Sequence, residues 1–349
     1  MRSSLCSSRL RARYGGRTLS KLSLSIAVGD YDRTRPLADG SVAIDGVEPT
    51  FLLLSPEEMF FRAFRHVDFD VCELSLSSFA VRTARGDNPY IGIPVFPSRA
   101  FRHTAIVVRR DRGIDAPQDL KGRRIGTPEY QLSACVWARG ILQDEYGVRP
   151  EDIAWVRGGM EEPGRIEKIS LSLPPAVRLE SAPVDRTLSG MLAAGEIDGI
   201  IGPRLPSCFE DPAANVGWLF GDTVQTASQY FQRTGIFPIM HVIGVRRTLA
   251  EEHPWLPATL LKAFGAAKTL ALQRLADTSA TKVMLPFVEE QLVAARRLLG
   301  PDFWSYGFTA ENRKVLDTFL GYHHAQGLSA RRVTPEELFH PGALELFKI

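Results

Sequence analysis

The sequence predicts an α/β protein built as two lobes around a central cleft, joined by two extended segments. Three observations predict it. The chain has 349 residues, beyond the roughly 250–300 at which a single packed core stops growing. Strand-like and helix-like segments alternate along most of it, the pattern of α/β folds. Two apolar strand-like runs, 103–108 and 239–245, stand where the chain would leave a first lobe and return to it. On this reading residues 21–108 and 246–349 form lobe 1 and residues 109–238 form lobe 2, with hinge strands near 103–108 and 239–245. Residues 1–20 form a disordered basic extension. One large doubly wound sheet is the alternative.

The elements follow in order. Residues 22–28 alternate with period two as a strand does, then enter the polar loop 29–36. A second strand at 50–54 meets Ser55, a good N-cap, with Pro56 at the first helical position and Glu58 completing a capping box. Phe60, Phe61 and Phe64 supply that helix's buried side. Residues 69–74 are a short strand, and Ser75-Leu76-Ser77-Ser78 opens the next helix with free N–H groups and hydroxyls. Strands at 91–96 and 103–108 follow, then a short helix and turn at 116–122 and a strand at 123–126. Thr127-Pro128-Glu129-Tyr130-Gln131 starts a long helix ending near Gly147. Residues 153–157 form a strand, 158–183 a Pro-rich loop, 185–194 a helix closed by Gly195, and 197–201 a strand. After the strand at 239–245 the chain turns helical at 255–276, 286–299 and 309–325, followed by a capped turn at 334–337.

Charge excludes some classes of function. Residues 1–29 hold six basic side chains and no acidic one, so a total of +2 leaves the remainder at −4. A mildly acidic body is a poor partner for nucleic acid. No run approaches the ~20 apolar residues of a membrane-spanning helix. The leader reads as a transit peptide, a secretory signal or a plain extension; its alternating apolar stretch at 22–28 is no continuous signal core. Cys6, Cys72, Cys135 and Cys208 show neither CxxC nor Cys/His ligand spacing, which points to a reducing compartment without a zinc site.

Six segments carry a resemblance. Asp119-Leu120-Lys121-Gly122-Arg123-Arg124-Ile125-Gly126 followed by Thr127-Pro128-Glu129-Tyr130, and Gly195-Glu196-Ile197-Asp198-Gly199-Ile200, resemble the second lobe of type II periplasmic-binding-protein folds. Four more point to one branch of that superfamily: Asp30-Tyr31-Asp32-Arg33-Thr34, Glu73-Leu74-Ser75-Leu76-Ser77-Ser78, the run from Phe96 to His103, and the run from Arg233 to His241. Together, from about residue 22 onward, the chain resembles the 4,5-dihydroxyphthalate decarboxylase family. The resemblance implies an enzyme that converts this aromatic dicarboxylate to 3,4-dihydroxybenzoate without an organic cofactor, as a step in phthalate breakdown, and the lack of an apolar signal core before Cys6 favours the cytoplasm. A receptor for an aromatic carboxylate, with the same fold and no chemistry, is the competing expectation, and a homo-oligomer is compatible with either.

Such a substrate asks for cations that seat carboxylates and a group that protonates ring carbon. Arginine pairs bidentately with carboxylate, which nominates Arg33, Arg102, Arg204 and Arg233; solvated surface arginines are the alternative for each. Ser75, Ser77, Thr127, Glu129 and Tyr130 are further substrate-binding candidates, although capping alone accounts for Thr127 and helix-end charge for Glu129. Histidine suits proton transfer near neutral pH. His103 and His241 lie on the two crossover strands, with Glu73 at a strand end to orient one of them. A divalent metal held by Glu73, His103 and His241 is a minor alternative to a metal-free site.

Overall fold

The computed structural model describes residues 21–344; the basic extension expected over 1–20, with Cys6, lies outside the described residues. Two mixed sheets organise the chain. The first is five-stranded, in the order β2 (Val47–Leu53), β1 (Leu22–Val28), β3 (Val71–Ser75), β11 (His241–Arg246) and β4 (Tyr90–Ile93). Its strands run parallel except β11, which is antiparallel to both neighbours. The second is six-stranded, in the order β10 (Val216–Trp218), β5 (Ile106–Arg109), β9 (Gly199–Ile201), β6 (Arg124–Thr127), β7 (Ala154–Arg157) and β8 (Arg178–Ser181). There β5 runs against β10 and β9, and the other pairs among β9, β6, β7 and β8 are parallel.

Helices cover both sheets. Those of the first half are α1 (Arg35–Ala38), α2 (Pro56–His66), α3 (Leu76–Arg85), α4 (Ser133–Tyr146), α5 (Leu188–Ala193) and α6 (Thr223–Thr234). After β11 come α7 (Arg247–Glu252), α8 (Leu256–Leu275), α9 (Val288–Leu299) and α10 (Ala310–Ala325). Ser55 caps α2 as expected by accepting from the Glu58 N–H, but the reciprocal bond of a capping box does not form, because the Glu58 carboxylate takes Arg62 instead. No described helix is long and apolar enough to cross a membrane.

The lobes share their hydrophobic interior. One continuous core runs from Ile26, Val71 and Ile243 of the first sheet to Trp137 and Ile141 of α4 and Phe319 of α10. Trp137 is fully buried and donates its indole N–H to the Ile239 carbonyl. A side chain of this size contributes about 1.5–3 kcal/mol or more by leaving water. Because α10 packs on α4, the C-terminal region does not belong to the first lobe alone.

Three expectations are corrected. Residues 103–108 are not a crossover strand: His103–Ala105 is a 3-10 turn, and from Ile106 the chain is β5, inside the second sheet. The true crossing is the irregular segment 94–105, where Pro94 and Pro97 lack the N–H that ladder pairing needs. It lies beside the returning segment 235–240, tied by Ala100 N–H to Pro238 O and Met240 N–H to Ser98 O. The long helix starts at Ser133, six residues after Thr127, because 127–132 is a buried elbow in which the Thr127 hydroxyl donates to Glu129 O. Within the loop expected over 158–183, Arg178–Ser181 adds β8 to the sheet edge.

Candidate active site

A cavity of about 680 Å3 opens between the two sheets, within the roughly 300–1,000 Å3 usual for small-molecule sites. The first lobe lines it with Tyr31, Glu57, Phe60 and Ser75, the crossing segments with Ser98, Arg102, Met240 and His241, and the second lobe with Ser133, Met160, Arg165, Lys168 and Arg204.

Its centre is set by strand pairing. His241 opens β11 directly opposite Ser75 on β3, which brings its ring to Glu73 two residues away on the same face. The His241 Nδ1 lies 2.5 Å from Glu73 Oε1. Glu73 is fully buried, and its two oxygens also accept from the Tyr31 hydroxyl at 3.1 Å and the Gly29 N–H at 3.0 Å. A carboxylate behind one ring nitrogen fixes the tautomer and leaves the other, Nε2, for the cavity. Phe60 holds the ring edge-on at 4.8 Å.

Around this pair the wall is cationic. The Arg102 Nε donates to Met240 Sδ at 3.1 Å, and Arg102 pairs with no carboxylate among the described residues. Burial pushes its pKa down to about 10, yet it remains a cation at neutral pH. Ser75 and Ser133 link hydroxyls at 3.1 Å, and Ser133 begins α4, so first-turn N–H groups also border the cavity. Arg102, two hydroxyls and a helix start make a seat for an anion. Arg165 and Lys168 are already compensated, and Arg204 is only loosely paired. Glu129 takes Arg165 at 2.7 Å and also Lys168, while Glu57 takes Arg165 at 3.2 Å and Arg204 at 3.8 Å. Burial pushes Glu57 up, but Arg165 and Arg204 outweigh it and hold its carboxyl below the usual range.

The sequence candidates divide accordingly. Glu73, Ser75, Arg102, Arg204 and His241 come together at the cavity. His103 does not: its 3-10 turn aims it between Phe220 at 5.2 Å and Tyr230 at 5.4 Å, with neither ring nitrogen bonded. Burial, helped by Arg233, pushes its pKa down to about 4. The ligand trio of Glu73, His103 and His241 is therefore not assembled, and no other cluster of three metal-ligating side chains occurs among the described residues. Arg33 is spent on Pro97 O and Asp32, stacked between Tyr31 and Trp304. Arg233 pairs with Glu145 on α4, Thr127 serves the elbow, and Tyr130 lies buried under Arg139. Glu129 sits behind the wall as counter-ion to Arg165 and Lys168. The Ser77 N–H donates to Ser133 Oγ, so Ser77 supports the seat without lining it.

Sequence reasoning missed Tyr31, Ser133, Arg165 and Lys168 as site residues. Tyr31 stood in a quoted segment without a role, and Arg165 and Lys168 lay in a loop with no pattern to mark them.

Comparison with known proteins bears on this geometry. Residues 100–165 match the family model described as "NMT1/THI5 like". A 4,5-dihydroxyphthalate decarboxylase of Comamonas testosteroni is 63% identical over 331 residues, covering 95% of this chain and all of that protein. A protein of the same name from Pseudomonas putida is 59% identical over 61% of this chain and 83% of its own. Among solved structures, the alkanesulfonate-binding protein SsuA from Xanthomonas axonopodis pv. citri bound to MOPS superposes with a TM-score of 0.55. It is 14% identical and covers 92% of this chain and 99% of its own, a likeness of fold.

Proposed function

The chain belongs to the 4,5-dihydroxyphthalate decarboxylase family, and from that premise we propose that it is a carboxy-lyase whose proton donor is His241, held by Glu73. The observation that carries the reading is a buried Glu73–His241 pair opening on a cavity beside an uncompensated arginine.

The substrate carries two adjacent carboxylates and two phenols. Arg102, with the Ser75 and Ser133 hydroxyls, seats the carboxylate that stays. Arg204, exposed and only loosely paired with Glu57, offsets part of the remaining negative charge at the mouth. The protonated His241 ring gives its Nε2 proton to the ring carbon bearing the departing carboxylate. The bond to that carboxylate then breaks, its electron pair restores the aromatic ring, and carbon dioxide leaves. One proton is consumed and 3,4-dihydroxybenzoate remains. Every step is proton transfer and bond cleavage, so the proposed reaction needs neither organic cofactor nor metal. The three described cysteines are buried free thiols, which supports placing the enzyme in the cytoplasm. The receptor alternative rests on the fold alone.

Purified protein treated with chelator and given 4,5-dihydroxyphthalate is the test. Carbon dioxide and 3,4-dihydroxybenzoate should appear in equal amounts. Tight binding without product would promote the receptor, and activity that returns only with a divalent ion would overturn the metal-free step.

A further inference from the structure

We infer that Tyr31 is a positioning residue of this site, acting through Glu73 on His241; the inference rests on the decarboxylase reading above. Glu73 Oε1 serves two donors, the Tyr31 hydroxyl at 3.1 Å and His241 Nδ1 at 2.5 Å. No arginine or lysine pairs with this buried carboxylate among the described residues, so the Gly29 N–H, the phenol and the imidazole alone fix its direction.

The ring is itself held between two neighbours. The Arg33 guanidinium covers one face at 4.2 Å and is backed by Trp304 at 4.6 Å. The other contact is Gly29: a Cβ there would lie 2.2 Å from Tyr31 Cζ, so only glycine leaves room for the ring. The turn below is tied by Thr34, whose hydroxyl donates to Gly29 O at 2.6 Å and accepts from the Tyr31 N–H at 3.1 Å. Burial and the Glu73 charge push the phenol's pKa well up, so it stays a donor throughout the working range. The segment that carried part of the family resemblance, Asp30 to Thr34, is thus a clamp that aims one hydroxyl at Glu73. It also accounts for Arg33, which touches the cavity only through Tyr31.

The test pairs kinetics with a signal that needs no turnover. In Tyr31→Phe, kcat should fall about tenfold or more while KM stays within twofold, with a melting temperature near that of the parent protein. In ligand-free protein the Nδ1–H proton of His241, assigned by its loss in His241→Asn, should shift or broaden in Tyr31→Phe. Gly29→Ala keeps the hydroxyl but displaces the ring, and should reproduce both effects. Unchanged kcat, an unmoved Nδ1–H signal in both variants, or a loss confined to KM would each overturn the positioning role. Absence of turnover in the parent protein would instead sink the decarboxylase reading, and leaves the spectroscopic arm to decide on Tyr31.

Discussion

At Glu73 a single buried carboxylate organises three donors, two from the loop after β1 and one from β11. Glu73→Gln preserves shape but removes the negative charge behind His241 and sets an NH2 donor against either the Gly29 N–H or His241 Nδ1. Positioned acid–base groups contribute about 10²–10⁴-fold, so kcat should fall by about 100-fold in a steady-state assay. Arg102 should act on binding instead. Arg102→Met removes a charge-assisted pair of about 1.5–3 kcal/mol, so KM should rise by about 10- to 100-fold, with a smaller change in kcat. His103 makes a different prediction. Its pKa is about 4 in the folded protein against 6.5 unfolded, so between those values the unfolded chain binds the extra proton. Stability conferred by the neutral ring is present above pH 6.5 and is lost as pH falls toward 4. Urea unfolding at pH 7 and pH 5 should show His103→Leu losing about 2 kcal/mol less than the parent protein over that interval, with kcat little changed.

At the scale of elements, β3 and β11 were readable because both are short, mostly apolar runs with few polar residues. Among those polar residues stood Glu73 and His241, and antiparallel pairing of the two strands made them neighbours. His103 satisfied the same pattern and went elsewhere, since the prolines at 94 and 97 replace a strand by an irregular crossing that ends in a 3-10 turn. Helix α6 gave no signal because only Ala227 and Tyr230 are buried along it. The cationic wall of the second lobe depends on contacts across about forty residues, from Glu129 to Arg165 and Lys168, which no local spacing records. Glu129→Gln leaves two cations without their buried partner and should destabilise the protein by about 3 kcal/mol. Limited proteolysis should then cut first within 158–177, and equal resistance of parent and variant would refute the anchoring role.

In the whole molecule, the two-lobed α/β architecture follows from length and alternation, but the degree to which the lobes are fused does not. Trp137, Arg139 and α10 join them through one interior, and the paired crossings at 98–100 and 238–240 are short. A ligand seated on Arg102 therefore touches both lobes at once. Phthalate, which has both carboxylates and no phenol, should raise the melting temperature by a few degrees at 100 times its Kd, and benzoate by less at equal concentration. In the proposed reaction one histidine, His241, delivers the proton that releases carbon dioxide. The most direct measurement of that step is single-turnover formation of 3,4-dihydroxybenzoate by chelator-treated His241→Asn, with substrate affinity measured in parallel by calorimetry. Affinity should be retained and the rate reduced by at least about 100-fold; a rate within a few-fold of the parent protein would rule out His241 as the donor.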